Sequence, residues 1–298
     1  MSQSAAPIED EHTRRAVRMA AGLPSIDLSI LELMRVISAQ DATASEISRA
    51  LGRDLTLTAR ILKVVNSAYY GRSGSIACIE RAVVVLGVPA VRSVALAAGC
   101  FRLRGVSLVC HAFMASDLLL HGLGVALACR VLAHEHTGVC REQAYMAGLL
   151  HDFGLLLELH GGADKLSALA HVVETLPAEE QAQAWLSGEA MAFGADHANT
   201  AACVFASWKL PASVVRAIRH HHEPMRVPPE ERLLPALLAL ADVLVADAGF
   251  GLFMAREARP PDPALLEWLG FDWDGRAGLQ QTVREEVMLL ERILSHGG

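Results

Sequence analysis

Apolar residues recur at helical spacing along almost the whole chain, and this pattern limits the fold more than any other feature of the sequence. From Asp27 onward the apolar positions follow a period of about 3.6 residues, as at Leu28, Leu31 and Met34. No segment of any length alternates cleanly between apolar and polar residues, which is the pattern that a half-buried strand would show. The sequence therefore predicts an all-α fold.

Proline, glycine and capping residues mark where the predicted helices begin and end. Thr43 and Glu46 have the spacing of a capping box, and the pair Gly87 and Pro89 predicts a break between two helices. Residues 102–108 are the best candidate for a linker. Beyond the linker, the pattern predicts helices at about 110–135, 141–160, 163–176, 178–193, 196–209, 211–222, 230–248, 263–269 and 277–294.

The composition predicts a well-packed globular protein of the cytoplasm. Hydrophobic residues make up 52% of the 298 residues and charged residues 20%, which allows a large core. The net charge of −7 gives no general attraction to nucleic acid or to anionic membranes. The six cysteines show no CxxC spacing and indicate reduced thiols. We find no secretory signal and no apolar run of about 20 residues, so no membrane association is expected.

The dipeptide His151-Asp152, within the apolar sequence GLLHDFG, is the strongest candidate for a functional site. Adjacent residues on a helix point about 100° apart, so a cation in front of the pair could contact both side chains. An aspartate buried among leucines without a partner would cost several kcal/mol. Asp152 is therefore expected to have a specific partner, which is either a metal ion or a protonated histidine.

Five further residues of metal-binding types recur at wide spacing. His121 and Asp242 each stand alone in an otherwise apolar helical stretch, where a polar residue is more often simply hydrogen-bonded within a core. His197 follows a candidate N-cap, and two more histidines end a helix, where they could simply complement the helix dipole. The combination nevertheless predicts one shared site. We expect His121, His151, Asp152 and Asp242 to converge in a pocket, with His197, His221 and His222 at its edge.

Residues 45–65 allow a different interpretation, because a short helix, a glycine turn and a second helix resemble a helix-turn-helix. The second helix offers only Arg60 and Lys63 to contact bases or phosphates, and the chain as a whole is acidic. A packing unit therefore fits these residues better, and nucleic acid is not an expected partner. DNA binding through this segment stays open as an alternative.

The motifs of the chain resemble the HDOD family, the HD-related output domains. The N-terminal half of that family is similar to LTLTARILKVVNSAYYG at residues 55–71 and to IERAVVVLG at 79–87. Its C-terminal half is similar to AGLLHDFG at 147–154, WKLP at 208–211 and HHEP at 221–224. The resemblance implies a bacterial all-α protein in which a helical N-terminal subdomain packs on an HD-like helical core.

The resemblance also implies a division of the chain and a ligand set. We expect a tail at 1–22, the N-terminal subdomain at 23–105, and the HD-like subdomain with a C-terminal helical extension at 106–298. The His…His-Asp…Asp ligands of the related HD phosphohydrolases correspond to His121, His151, Asp152 and Asp242. The histidines that the HD-GYP phosphodiesterases of cyclic di-GMP add would correspond to His197, His221 and His222. The implied cofactor is a divalent metal ion, namely Fe, Mn, Zn, Ni or Mg.

The chain departs from those enzymes at two places. Their HD motif commonly continues with Gly-Lys, whereas Leu155 follows Gly154 here and cannot steady a substrate phosphate. The residues from Pro224 onward lack the GYP-bearing loop of the phosphodiesterases. We therefore predict a signalling output protein without catalytic residues, which acts through contacts with regulatory proteins. The alternative is a metal-dependent phosphohydrolase of a nucleotide or phosphoester, in which the bound cation activates water.

Overall fold

The computed structural model describes residues 11–21, 43–51, 55–67, 76–101, 109–252 and 261–295. Within these ranges the chain is helical and contains no strand. The described residues contain an isolated antiparallel β-bridge between Val109 and Met114. The architecture confirms the predicted all-α fold.

The described part of the chain before residue 102 contains five helices whose ends match the sequence signals. The Thr43 amide donates to Glu46 Oε2 at 2.8 Å and the Glu46 amide donates to Thr43 Oγ1 at 3.3 Å, so the capping box is present. Gly87, with φ 85°, ends a helix at the predicted break. The helices are α1 (Glu11–Ala21), α2 (Ala44–Leu51), α3 (Leu55–Val65), α4 (Ile79–Leu86) and α5 (Val88–Phe101).

Three predictions from the sequence fall wholly or partly on residues that the structure does not describe. These are the apolar helical pattern that includes Leu28 and Met34, the end of the VNSAYYG segment, and the linker at 102–108. The division at residue 105 stays a prediction for the same reason.

The helices after residue 109 form the larger part of the fold. They are α6 (Ala115–Glu135), α7 (Arg141–Leu150), α8 (Phe153–Val173), α9 (Ala178–Phe193), α10 (His197–Ser207), α11 (Ala212–His220), α12 (Leu233–Val245), α13 (Pro263–Leu269) and α14 (Ala277–Ser295). A short π-helical turn, Ala246–Phe250, continues α12.

The predicted single helix at 141–160 is wrong, because His151 and Asp152 form a turn between α7 and α8. The backbone of Asp152, with φ −94° and ψ 13°, departs from helical geometry. The break expected between 160 and 163 is instead a kink within α8 at Gly162. Both differences arise because an apolar run of this length shows the same period whether or not a turn interrupts it.

Helix α6 lies at the centre of the packing, against α7, α12 and α14. Helix α5 packs on α7, and α14 reaches back to α3, so the two halves of the chain share a core. Helix α1 packs on α10 and α8 through the buried Ala16 and Ala20. Most buried apolar side chains of the described helices form one connected cluster, and Ala236, Ala239 and Leu265 form a second, small one.

In the part of the chain that the structure describes, two helical segments are long and apolar enough to cross a membrane by length and composition alone, which the sequence analysis did not expect. They are Ala115–Glu135 and Leu233–Phe250, whose apolar windows are 72% and 61% buried inside the protein. Helices that are apolar on all sides also occur in the cores of globular domains, and this burial fits that case. Each carries one of the predicted site residues, His121 or Asp242, among its apolar side chains.

Close contact between α6 and α7 depends on glycine at position 148. A Cβ atom there would lie 2.7 Å from the backbone N and Cα of Ala126 on α6, a distance that backbone atoms cannot relieve by a rotamer change. A Cβ atom at Gly122 on α6 would likewise lie only 3.0 Å from the carbonyl oxygen of Leu149. These contacts set the distance between α6, which carries His121, and α7, which ends just before His151.

Gly148→Ala is expected to destabilise the protein by about 1–3 kcal/mol or more, because overpacking against backbone forces the helices apart. The matched control is Gly99→Ala in α5, where a Cβ would meet nothing within 4 Å. That control should change the stability by no more than about 1 kcal/mol, in the direction of helix propensity. Urea unfolding followed by circular dichroism measures both variants. Equal urea midpoints for Gly148→Ala and Gly99→Ala would show that the close α6–α7 contact does not determine the stability of the protein.

Candidate metal centre

The structure brings the seven predicted site residues together from five elements. His121 lies on α6 and Asp242 on α12, and the His151-Asp152 turn lies between them. Helix α10 contributes its first residue, and the end of α11 contributes two histidines. The seven residues are His121, His151, Asp152, His197, His221, His222 and Asp242.

The Asp152 carboxylate lies in the middle of the cluster. Its Oδ2 atom is 3.2 Å from Nε2 of His151 and 3.7 Å from Nε2 of His121. Its Oδ1 atom is 3.4 Å from Nε2 of His197 and 3.9 Å from Nε2 of His221. Each carboxylate oxygen therefore faces a different pair of histidines.

Asp242 completes the group on the Oδ2 side. Its Oδ1 atom is 3.0 Å from Nε2 of His121 and 3.9 Å from Nε2 of His151. The ligand-type atoms of His121, His151 and Asp242 all lie within 4.8 Å of one another, as do those of His197, His221 and His222. The centre thus consists of two groups of side chains with Asp152 between them.

Backbone carbonyl groups orient three of the histidine rings. Nδ1 of His121 contacts the carbonyl oxygen of Phe250 at 2.9 Å, and Nδ1 of His151 contacts that of Gly148 at 2.8 Å. Nδ1 of His221 contacts the carbonyl oxygen of Ile218 at 2.7 Å. A carbonyl oxygen can only accept, so each Nδ1 carries the proton. The Nε2 atom of each ring then faces the centre, as in metal-binding histidines.

His197 is oriented by a carboxylate instead of a carbonyl. Its ring Nδ1 lies 2.7 Å from Oε2 of Glu189, and its backbone amide donates to the same oxygen at 3.1 Å. Glu189 is fully buried on α9, and a second fully buried carboxyl group, Glu158 on α8, lies beside it. Burial and the neighbouring Glu189 raise the pKa of Glu158 well above its usual range.

His197 and His221 lie inside the site and not at its edge, which corrects the prediction made from the sequence. Both are almost fully buried, at 3% and 2% exposure. The reason is that the start of α10 and the end of α11 close over the His151-Asp152 turn. His222 alone of these three histidines is exposed, and its Nε2 lies 2.8 Å from Nε2 of His197.

The candidate N-cap before His197 is real and does not exclude a role in the site. The Asp196 side chain accepts the Asn199 backbone amide at 2.7 Å and thereby caps α10. Capping fixes the first turn of that helix, and the Glu189 contact then turns the His197 ring toward Asp152. Local and functional interpretations of this segment are therefore compatible.

The charges of the site are set by competition between burial and neighbouring groups. Burial alone raises the pKa of Asp152, but the surrounding histidines, His151 first, hold it well below its usual range. Burial lowers the pKa of His197, and the Glu189 carboxylate outweighs this effect and raises it to about 10. Burial and the nearby histidines lower the pKa of His221 to about 4, so this ring stays neutral.

The donor set fits a divalent metal ion better than a metal-free cluster of hydrogen bonds. Nε2 of His221 is buried and has no hydrogen-bond partner among the described residues. The contacts of Asp152 with the four histidines, at 3.2–3.9 Å, exceed the ~2.7–2.9 Å of charge-assisted hydrogen bonds. Neutral imidazoles and carboxylates are also ligands that Zn²⁺, Fe and Mn ions accept. The role of the seven residues as metal ligands stays a prediction.

Glu189 and Glu158 were missed by the sequence analysis, although a signal for both exists. Glu189 shares a helix face with the buried Trp185 and Phe193, four residues to either side. Glu158 interrupts the run of leucines from 155 to 159. A carboxyl group on an apolar face needs a partner, which is the argument that singled out Asp152.

A pocket of about 110 Å³ opens above the centre and is partly open to solvent. Its polar floor consists of His121, Asp152, His197, His222 and Asp242, and its walls are apolar. The wall residues are Phe113, Leu155, Ala182, Trp185, Leu186 and Leu252. A polar floor with apolar walls is the arrangement typical of small-molecule sites.

Glu189→Gln is expected to weaken binding of a divalent metal ion about 10–100-fold, because the amide keeps the hydrogen bond to His197 but loses the charge that makes its ring a stronger ligand. Competition with a chelator, followed by elemental analysis, measures the affinity. The exposed Glu180, on the same helix, supplies the control variant Glu180→Gln, which should bind like the wild type. Equal affinity of all three proteins would contradict a role for Glu189 in the centre.

Comparison with known proteins places this geometry in a family. The profile of the HDOD domain family matches residues 23–224. An uncharacterized protein of Treponema pallidum is 24% identical over 257 residues, which span 80% of this chain and 45% of that protein. The chain therefore matches less than half the length of this curated relative.

Two solved structures share the fold along most of the chain. A provisionally named phosphohydrolase from Shewanella amazonensis is 25% identical, with a TM-score of 0.68, and the match covers 94% of this chain and 98% of the other. A provisionally named signal transduction protein from Marinobacter aquaeolei is 18% identical, with a TM-score of 0.70, and the match covers 98% of this chain and 68% of the other. The sequence motifs, the helical fold and the matched range agree, and the chain belongs to the HDOD domain family.

Proposed function

We propose that this chain is a bacterial, cytoplasmic regulatory output protein whose HD-like centre binds a divalent metal ion, and that it acts through contacts with other regulatory proteins. The observation that carries the proposal is a complete set of ligand-type side chains beneath a pocket with apolar walls. The set supports metal binding, whereas the walls offer little for turnover of a phosphoester.

The seven side chains would hold the metal from two sides. His121, His151 and Asp242 would bind on the Oδ2 side of Asp152, and His197, His221 and His222 on the Oδ1 side. A bound divalent ion supplies Lewis acidity at this position. The backbone carbonyls and Glu189 keep the imidazoles of His121, His151, His197 and His221 in the orientation described above.

Leu155 is the residue that most distinguishes this pocket from that of a phosphohydrolase. It lies one turn beyond the His151-Asp152 turn, is buried at 4% exposure, and forms part of the pocket wall. Among the pocket-lining residues in the described part of the chain, none is lysine or arginine. Phosphoryl transfer gains much of its rate from cationic groups on the phosphate oxygens, and the described walls supply none.

A metal-dependent phosphohydrolase is the second candidate, and one specific observation favours it. Asp152 presents one oxygen to each of two groups of ligand-type side chains, and divalent ions held by these groups would supply an activated water for hydrolysis. The similarity to the Shewanella amazonensis protein points the same way. In this alternative the substrate is a phosphoester with an apolar portion, held against Trp185.

The packing of α3 does not favour DNA binding by residues 45–65. Leu57, Ile61, Val64 and Val65 are buried against α5 and α14, which leaves a narrow exposed face. Helix-turn-helix proteins need an accessible second helix to enter the major groove. The segment is therefore proposed to be a packing unit.

Metal-loaded protein is expected to show no hydrolysis of a nucleotide panel or of p-nitrophenyl phosphate beyond that of Asp152→Asn, since the described walls cannot stabilise charge on the phosphate. Steady-state assays with Mn²⁺, Fe²⁺ and Zn²⁺ measure the rates. Asp164→Asn on the exposed face of α8 serves as the control for the substitution. Turnover that only Asp152→Asn abolishes would establish the second candidate instead.

Regulatory contacts are expected to depend on the metal centre. Affinity purification from the native bacterium, with stable-isotope quantification, should recover the same regulatory protein with wild-type chain and with Asp164→Asn. Asp152→Asn, which alters the centre, should recover less of it. Failure of the wild type to retain any regulatory protein in repeated purifications would count against the proposal, whatever the metal content.

A further inference from the structure

A second cluster of metal-binding side chains lies at the surface, away from the central seven. His111 belongs to the segment between residue 109 and the start of α6, and His171 lies in the last turn of α8. Glu174 is the C-cap residue of α8. All three side chains are partly exposed, at 43%, 63% and 39%. None of them belongs to the pocket or to the HD ligand set.

The distances within this cluster suit a single ion. Nε2 of His111 lies 3.3 Å from Oε2 of Glu174, and Nδ1 of His171 lies 3.8 Å from the same oxygen. One ligand atom from each residue lies within 4.8 Å of the other two. Ligand atoms at ~2.0–2.2 Å from a tetrahedral ion stand roughly 3.4 Å apart, so small side-chain rotations would close the site.

The segment that carries His111 is already fixed to α8 without an ion. The His111 backbone amide donates to Oγ of Ser167 at 3.0 Å, and this hydroxyl donates to the carbonyl of Ala163 at 2.9 Å. Within the segment, the Cys110 amide donates to the carbonyl of Phe113 at 3.0 Å. The ligands are thus held near each other by backbone contacts, which reduces the entropic cost of binding.

We propose that His111, His171 and Glu174 form a second metal site, which binds a borderline divalent transition-metal ion such as Zn²⁺. Two imidazoles and one carboxylate form a ligand set that Zn²⁺ accepts, with a fourth position left for solvent. Mg²⁺ and Ca²⁺ prefer oxygen ligands and would not compete at this site. The proposal is independent of the central metal centre, since the two sites share no residue.

An ion at this site would also restrain one wall of the central pocket. Phe113 follows His111 by two residues, lines the pocket, and packs on Trp185 with ring centroids 6.3 Å apart. The ion would link the 109–114 segment to α8 at a second point besides the Ser167 contact. Zinc binding at the surface therefore holds Phe113 in place against Trp185.

Titration with Zn²⁺ tests the site by comparing the whole wild-type chain with the variant His171→Ala. Equilibrium dialysis followed by elemental analysis should show that the wild type retains one more equivalent of Zn²⁺ than this variant. The exposed His134 at the end of α6 supplies the control, and His134→Ala should retain as much as the wild type. Glu174→Gln is a second variant and should bind Zn²⁺ at least about 10-fold more weakly at this site. When Mg²⁺ replaces Zn²⁺, the wild type and His171→Ala should retain equal amounts of metal.

Hydrogen exchange read by mass spectrometry tests the effect on the segment. Zn²⁺ should slow exchange of a peptide that spans residues 109–114 in the wild type and in His134→Ala, but not in His171→Ala. Equal Zn²⁺ stoichiometry in the wild type and His171→Ala would overturn the site. A third outcome is that the wild type binds no metal at the central site and still retains one more equivalent of Zn²⁺ than His171→Ala. That result would support the surface site and count only against the central one.

Discussion

The burial of one carboxylate, Asp152, is the constraint on which the arrangement of the HD-like helices depends. A charged carboxyl group in an apolar interior is costly unless opposite charge or a cation lies beside it. The fold meets this requirement by bringing four histidine rings from four separate elements within 3.9 Å of its two oxygens. Each ring is in turn held by a hydrogen bond to a backbone carbonyl or to Glu189. The fixed arrangement therefore extends one layer of residues beyond those that contact Asp152.

Close backbone contacts make this convergence possible. Gly154, two residues after Asp152, lies directly against the backbone of His197, and any Cβ there would overlap the His197 carbonyl. Gly148 serves the same purpose between α7 and α6. The glycines on either side of His151-Asp152 in GLLHDFG are therefore structural requirements of the site. They let α7 approach α6, and α8 approach α10, closely enough for side chains as short as aspartate and histidine to meet.

The pocket joins a polar floor to apolar walls, and this contrast shapes what the protein can do. The floor consists of ligand-type side chains, while Leu155 and Trp185 on the walls offer apolar contact area and no charge for a phosphate. A site of this kind is suited to binding and to structural response. The link from Phe113 through His111 to the surface of α8 offers one route by which an event at the surface can reach the pocket.

The sequence by itself determined the helical fold class and most helix boundaries, and it singled out the seven residues that the structure brings together. Apolar periodicity, caps and prolines are local signals, and they place α9, α13 and α14 within a residue or two. The turn at His151-Asp152 escaped detection because it interrupts the backbone without interrupting the apolar period. Even so, the identity of the central residues followed from the motif.

Only the tertiary structure decided which of those residues are buried and which further side chains support them. The burial of His197 and His221, and the pairing of His197 with Glu189 and Glu158, depend on contacts between helices that no local pattern encodes. The same is true of the surface cluster, in which His111 meets Glu174 from 63 positions away along the chain. Periodicity shows that a residue faces a core, but the partner it meets there is set by how the helices pack against one another.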